Sequence, residues 1–266
     1  MTTMTNAAAG QVSMSAAEIY DRDFVPALFG QFAPMLAEAA GIKAGDTVLD
    51  VACGTGIAAL AAFERGAASV TGVDINPGML AVARAKTDRV DWVEGAAEAL
   101  PFDDGRFDVT LCQFALMFLA DRTRALREMA RVTCPGGRIA LLTWEALGRS
   151  PGYDQLVPLL REIVGPTAAD ALSAPFVLGN MTDIEAELGR AGLKMAEHRI
   201  LTGTARHASL DGWIDTEIGG WTLAELVSPD QLVTLKAAAA SLFPQYVSGD
   251  GRVAFPAPAH LILIRT

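Results

Sequence analysis

The chain has 266 residues, 51% of them hydrophobic and 20% charged, a composition that supports a folded core and argues against disorder. Its 31 acidic residues outweigh 21 basic ones, for a net charge of -10, which disfavours nucleic acid and anionic membrane surfaces as partners. Cys53, Cys112 and Cys134 form no CxxC pair, which argues against a disulfide framework or a metal site and fits a cytoplasmic location.

Residues 1 to 14 read as a frayed tail with no signal-peptide pattern, and no run of about 18 apolar residues predicts a membrane span. Ser15 to Ala40 reads as helix, capped by Ser15 with Glu18 three residues on and interrupted at Pro26 and Pro34. Its Tyr20, Phe24, Phe29 and Phe32 either dock it on the core or form a lid. A turn over Gly41 to Asp46 leads to a strand at Thr47 to Val51 and a helix from Ile57 to about Arg65, stopped by Gly66. Ser69 to Asp74 is the next strand, and Asn76 then caps a helix over Pro77 to Lys86. Strands follow at Val90 to Glu94 and Phe107 to Gln113. A helix capped by Asp121 ends at Cys134-Pro-Gly-Gly before a strand over Arg138 to Trp144. This alternation predicts a doubly wound α/β fold: a seven-stranded, mostly parallel, Rossmann-like sheet with an N-terminal helical lid and C-terminal helical insertions.

Further on, helices are predicted over Pro151 to Val164, Ala168 to Leu172, Asp183 to Ala191, Leu210 to Leu226 and Asp230 to Phe243. Strands are expected at Lys194 to Thr204, Arg252 to Phe255 and Ala259 to Arg265. The chain thus divides into a tail and lid (1–40), a ligand-binding core (41–145), and substrate-lobe insertions with the final strands (146–266).

Val48 to Gly56, VLDVACGTG, is a strand running into a small-residue turn and a helix N-terminus. Glycine admits positive φ and close ligand approach, and the helix's first N–H groups face outward, so this is a nucleotide cradle. Asp50 sits near the C-terminal end of the strand, and Gly54, Thr55 and Gly56 form the turn. Asp74 stands 18 residues after Gly56, close to the roughly 20 expected for an acid that accepts ribose hydroxyls. Gly54-x-Gly56-x-x-Ala59 also satisfies the dinucleotide fingerprint, so a NAD-dependent oxidoreductase stays open on these residues.

Four blocks in order, VLDVACGTG, VTGVDINPGML, GAAEALPFDDGRFDV and ALREMARVTCPGGRIAL, resemble the class I S-adenosylmethionine-dependent methyltransferases. The likeness is greatest to the branch that includes ubiquinone and menaquinone biosynthesis enzymes (methyltransferase type 11), and it covers about the first 145 residues. The resemblance implies S-adenosyl-L-methionine as cofactor and a small-molecule methyl acceptor. It places Ala52, Gly54 and Gly56 along the methionine and ribose, Asp74 at the ribose hydroxyls, and Ile75 and Met79 on the adenine faces. Ala97 and Glu98 border the adenine edge, Gln113 reaches the methionyl end, and Tyr20 lies where the family's N-terminal helix closes. Two departures stand out: Ala52 where glycine is common, and Ala96 where the family often has an aspartate that accepts the adenine amino proton.

In-line displacement from a sulfonium needs alignment more than acid–base help, so the sequence assigns no catalytic residue. His198, His207 and His260 read as structural. Tyr20, Phe24, Phe118, Trp144, Tyr153, Phe176, Trp213 and Trp221 are candidates for an acceptor pocket suited to an apolar or cationic small molecule. The leading function is methyl transfer from S-adenosylmethionine. The alternatives are a NAD-dependent oxidoreductase and a non-catalytic binding protein on the methyltransferase fold.

Overall fold

The structure is a computed structural model that describes residues 14–219 and 222–266. Apart from Met14, the expected tail lies outside those residues, as does Trp221. The strands are β1 (Thr47–Val51), β2 (Ser69–Asp74), β3 (Asp91–Glu94), β4 (Phe107–Gln113), β5 (Thr133–Trp144), β6 (Met195–His207) and β7 (Val253–Arg265). They form one seven-stranded sheet in the order β3-β2-β1-β4-β5-β7-β6. The first five run parallel, and β7 runs antiparallel to both β5 and β6. Val48, Leu49, Val51, Val109 and Leu111 are buried, as apolar parallel strands covered on both faces must be. The strand order reverses at β1, which has β2 on one side and β4 on the other. The crevice at the carboxyl ends of these strands is where open α/β sheets bind ligands.

The helices in chain order are α1 (Met14–Ile19), α2 (Phe32–Ala39), α3 (Ile57–Glu64), α4 (Pro77–Lys86), α5 (Arg122–Val132), α6 (Tyr153–Ile163), α7 (Pro166–Ser173), α8 (Met181–Ala191), α9 (Leu210–Gly219) and α10 (Pro229–Leu242). Between α1 and α2 the backbone takes the wider π-helical form over Tyr20–Phe29. Asn76 caps α4 by accepting from the N–H groups of Gly78 and Met79, and Asp121 caps α5 by accepting from Arg124 N–H.

Several expected boundaries move. The N-terminal helix breaks at Gly30 and Gln31 and not at the prolines. Pro26 is carried inside the π-helix. Pro34 is the third residue of α2, where a helix has free N–H groups anyway. Ser15 lies within α1, and its side chain is outside what the structure describes, so the Ser15–Glu18 cap is not observed. Cys134-Pro-Gly-Gly follows the helix end at Val132 as part of β5. It forms an irregularity between the pairs Phe107–Thr133 and Val109–Arg138, held by Gly136 N–H donating to Thr266 O. The two short C-terminal strands are one, because β6 pairs with β7 along its whole length, from Met195–Ile264 to His207–Val253. The helix begun at Leu210 stops at Gly219, and a 3-10 turn spans Thr222–Glu225.

Candidate active site

The cradle after β1 is built as the local sequence requires. Gly54 and Gly56 both have positive φ, +53° and +84°. A Cβ on Gly56 would lie 2.3 Å from the Trp92 indole, whereas one on Gly54 would meet nothing within 4 Å. Gly56 is therefore required by Trp92 packing beneath the turn, and Gly54 faces open space. Ala52 shares the left-handed backbone, with φ +53°, at a cost of roughly 1–2 kcal/mol that a glycine would avoid. The structure thus gives the conformational reason why that position favours glycine.

Asp74 is the hub. Its Oδ2 accepts from Gly54 N–H and its Oδ1 from Asn76 N–H, both at 2.8 Å. Burial pushes its carboxyl up, opposed by hydrogen bonds from the Asn76, Gly54 and Ile75 backbones. Asp50 is 1% exposed, and its Oδ2 accepts from Ala59 N–H at 2.9 Å. Burial raises the Asp50 carboxyl to about 8, partly offset by that bond, and the nearby Asp74 adds to the rise. Burial, with help from the carboxylates of Asp21, Asp74 and Asp50, holds the Tyr20 phenol above its ordinary value. The Tyr20 ring packs on Phe24 and Phe29, at 6.1 and 5.3 Å between centroids.

Three buried polar atoms here have no protein partner: Asp50 Oδ1, Thr55 Oγ1 and Gln113 Oε1. Buried polar atoms are ordinarily paired, so their grouping around one sheet edge suits a polar ligand. Gln113 donates through Nε2 to Phe29 O at 3.2 Å. Ile75 is 53% exposed at the end of β2, Met79 is half-buried in the first turn of α4, and Ala97 is buried in the loop after β3. Ala96 is half-buried in that loop, with its carbonyl accepting from Ala99 N–H. The structure turns Glu98 elsewhere: its Oε1 accepts from Ala120 and Asp121 N–H at 3.2 and 3.4 Å, so it ties this loop to the start of α5.

A cavity of about 550 Å³, within the usual range for small-molecule sites, is lined in part by Phe29, whose carbonyl accepts from Gln113; neither the turn residues nor Tyr20 are among the described residues that line it. Phe24, Phe118, Trp144, Tyr153 and Phe176 line it, as expected positions, together with Phe29. Trp213 corrects the expectation. It is fully buried behind Tyr153, at 6.0 Å between ring centroids, and its indole N–H donates to Glu217 at 3.2 Å. Glu217 itself lines the cavity and was not anticipated. It is 2% exposed, accepts from the Tyr153 hydroxyl at 2.7 Å, and burial raises its carboxyl to about 7. The signal for it lay in Trp213, Ile214, Glu217 and Ile218, which put an acid among apolar residues on one helical face.

The N-terminal segment is fastened over both features. Gln31 Nε2 donates to Leu28 O and Thr204 O, and Gln31 Oε1 accepts from Thr204 N–H. Phe29 and Phe32 stand 5.7 and 5.5 Å from Trp144, which stacks at 3.9 Å on Phe114. Lys86 pairs with Asp21 and donates to Thr55 O at 2.9 Å.

A family profile described as a methyltransferase domain matches residues 49–141. A ubiquinone/menaquinone biosynthesis C-methyltransferase of Xylella fastidiosa is 36% identical over 185 residues, covering 62% of this chain and 72% of that one. The chain belongs to the class I S-adenosylmethionine-dependent methyltransferases. An uncharacterized protein of Mycobacterium tuberculosis is 39% identical over 138 residues, 50% of this chain and 49% of that one, so the match spans about half of that relative's length. The YcgJ protein of Bacillus subtilis has the same fold, with a TM-score of 0.59 at 25% identity over 88% of this chain and 98% of that one. Within this methyltransferase fold the matched region contains the cradle and ends before α6, α7 and α9. Those helices carry Tyr153, Asp170 and Glu217 to the cavity wall. Among the described residues no helix is long and apolar enough to cross a membrane, and no cluster of three or more His, Cys, Asp or Glu could hold a metal ion.

Proposed function

We propose that this chain transfers the methyl group of S-adenosylmethionine to a small-molecule acceptor, on the plan of the ubiquinone/menaquinone branch of its family. The observation that carries the reading is a cradle with unpartnered buried polar atoms, linked through the Gln113–Phe29 hydrogen bond to a ring-lined cavity. The donor set suits the cofactor. Asp74 has carboxylate lone pairs for ribose hydroxyls beyond those used by Gly54 and Asn76 N–H, and Gly54 leaves room for close approach. Ala52, Thr55 and Gly56 complete the turn, and Ile75 and Met79 offer apolar contact to the adenine. Ala96 and Ala97 border its edge through backbone groups. Glu98 contributes by holding their loop in place.

When bound, the cofactor supplies a methyl group already activated on positive sulfur. The chain's part is to orient and to exclude water. Gln113 Oε1 is free to accept from the methionyl end, with Nε2 anchored on Phe29 O. Tyr20, Phe24 and Phe29 close the near side, and Trp144 is fixed by its stack on Phe114. Holding two reactants in line contributes about 7–11 kcal/mol, and no side chain is required to move a proton unless the acceptor arrives protonated. Within the first 40 residues the helical segment after the tail serves as lid, residues 41–145 hold the cofactor, and residues 146–266 build the acceptor cavity and complete the sheet. The free thiols of Cys53, Cys112 and Cys134 suit work in a reducing cytoplasm.

Thermal shift tests the reading. S-adenosylhomocysteine is expected to raise the melting temperature and NADH to leave it unchanged. Stabilisation by NADH alone overturns the assignment in favour of an oxidoreductase. Methyl-labelled S-adenosylmethionine incubated with a small-molecule extract then yields a labelled product, whose absence favours a binding protein.

A further inference from the structure

We propose that Glu217 binds a protonated amine on the acceptor, at the end of the cavity remote from the atom that is methylated. This inference rests on the methyltransferase reading for the position of the reacting end. Glu217 is nine-tenths or more buried and lines the cavity. Both of its protein donors, the Tyr153 hydroxyl and the Trp213 indole, go to Oε1. No donor reaches Oε2 among the described residues, so the buried carboxylate lacks a partner on one oxygen.

The register of the sheet places Glu217 far from the cradle. Trp144 at the end of β5 pairs with Ala259 of β7, and β7 extends beyond that edge of β5, still paired with β6, through Phe255. Four further residues of strand carry Phe255 about 13 Å beyond that edge. Tyr153, which bonds Glu217, packs on Phe255 at 5.8 Å. The cradle, by contrast, follows directly on the carboxyl end of β1, two strands from β5. The cavity therefore has an inner end walled by rings and an outer end holding a carboxylate.

Charge decides what fits there. Among the described residues no Lys, Arg or His lines the cavity, while Asp170, Glu217 and Glu225 do. Asp170 is already paired with Arg161 at 2.6 Å and is exposed, and Glu225 is exposed, so both belong to the rim. A phosphate or carboxylate would meet only negative charge. An ammonium would supply the missing donor to Oε2 and lie against aromatic faces, as cations favour. An apolar acceptor with a terminal amine satisfies both ends.

Calorimetric titration with phenylbutylamine, phenylbutanol and phenylbutyric acid at about pH 8 tests this, since the three differ only in the terminal group. The amine is expected to bind about 10- to 100-fold more tightly than the alcohol, with the acid weakest. In Glu217→Gln the preference is expected to fall to within about twofold. In Tyr153→Phe, which keeps the carboxylate, it is expected to persist. Equal binding of amine and alcohol by the parent protein overturns the proposal whether or not the variants fold, as does failure of all three probes to bind. So does a preference that survives in folded Glu217→Gln. S-adenosylhomocysteine titrated into the same samples separates the two readings. If it binds without an amine preference, the amine proposal alone fails. An amine preference without cofactor binding sinks only the methyltransferase reading.

Discussion

Glu217→Gln is expected to stabilise the protein, increasingly so above about pH 4.5. The carboxyl is raised from 4.5 to about 7 by burial. Between those values the folded state holds a proton that the unfolded state has released. Stability from this group is therefore fully present below about pH 4.5 and is lost as pH rises through about 7. A rise of about 2.5 pH units at about 1.36 kcal/mol each corresponds to roughly 3 kcal/mol lost by the parent at pH 8. The hydrogen bonds from Tyr153 and Trp213 oppose the rise and are already contained in that value. Glutamine keeps an oxygen to accept from both donors and carries no charge at any pH. Urea unfolding at about pH 5, 6, 7 and 8 is expected to show the variant's advantage widening from about 1 to about 3 kcal/mol across that range. Asp50 and Asp74 are also raised, but they are common to both proteins and cancel in the difference. Parallel stability curves across the range would refute the claim that Glu217 is buried as a charge at neutral pH.

Asp74→Asn is expected to weaken S-adenosylhomocysteine binding about 10- to 100-fold by calorimetry, because an amide replaces one acceptor oxygen of the hub; unchanged affinity would remove Asp74 from the ribose site. Gly56→Ala places a Cβ 2.3 Å from Trp92 at φ +84°, so strain and overpacking together are expected to cost about 2–5 kcal/mol. Gly54→Ala meets no atom and should cost only the roughly 1–2 kcal/mol of backbone strain; equal losses in denaturant titrations would contradict the role of Trp92. Lys86→Met cuts the links to Asp21 and Thr55 O, and faster amide exchange over Tyr20–Phe29 is the expected readout. Exchange identical to the parent there would show that Gln31 and the phenylalanines hold the segment alone.

The parallel half of the fold was legible because each of its signals is local. Pro77 after Asn76, the apolar run Val48 to Val51 and the acid at Asp74 each act within a few residues, and all stand where the spacing put them. The π-helix was not legible, since Pro26 reads as a break until the widened turn that accommodates it is seen. Glu98 was read toward adenine from its place in a motif. Its true partners, Ala120 and Asp121, lie 22 and 23 residues away.

Sequence alone determined the cradle, because a glycine turn between strand and helix is specified by neighbours along the chain. Tertiary structure decided the ring-lined cavity. Phe24, Trp144, Tyr153 and Glu217 come from segments nearly 200 residues apart, and only the pairing of β5, β7 and β6 brings them to one wall. The same pairing decided that Trp213 supports that wall from behind and that Glu217 lines it. A buried charge is recognised by what surrounds it, and those surroundings are contributed by Tyr153 and by the long β7 strand, far from Glu217 in sequence.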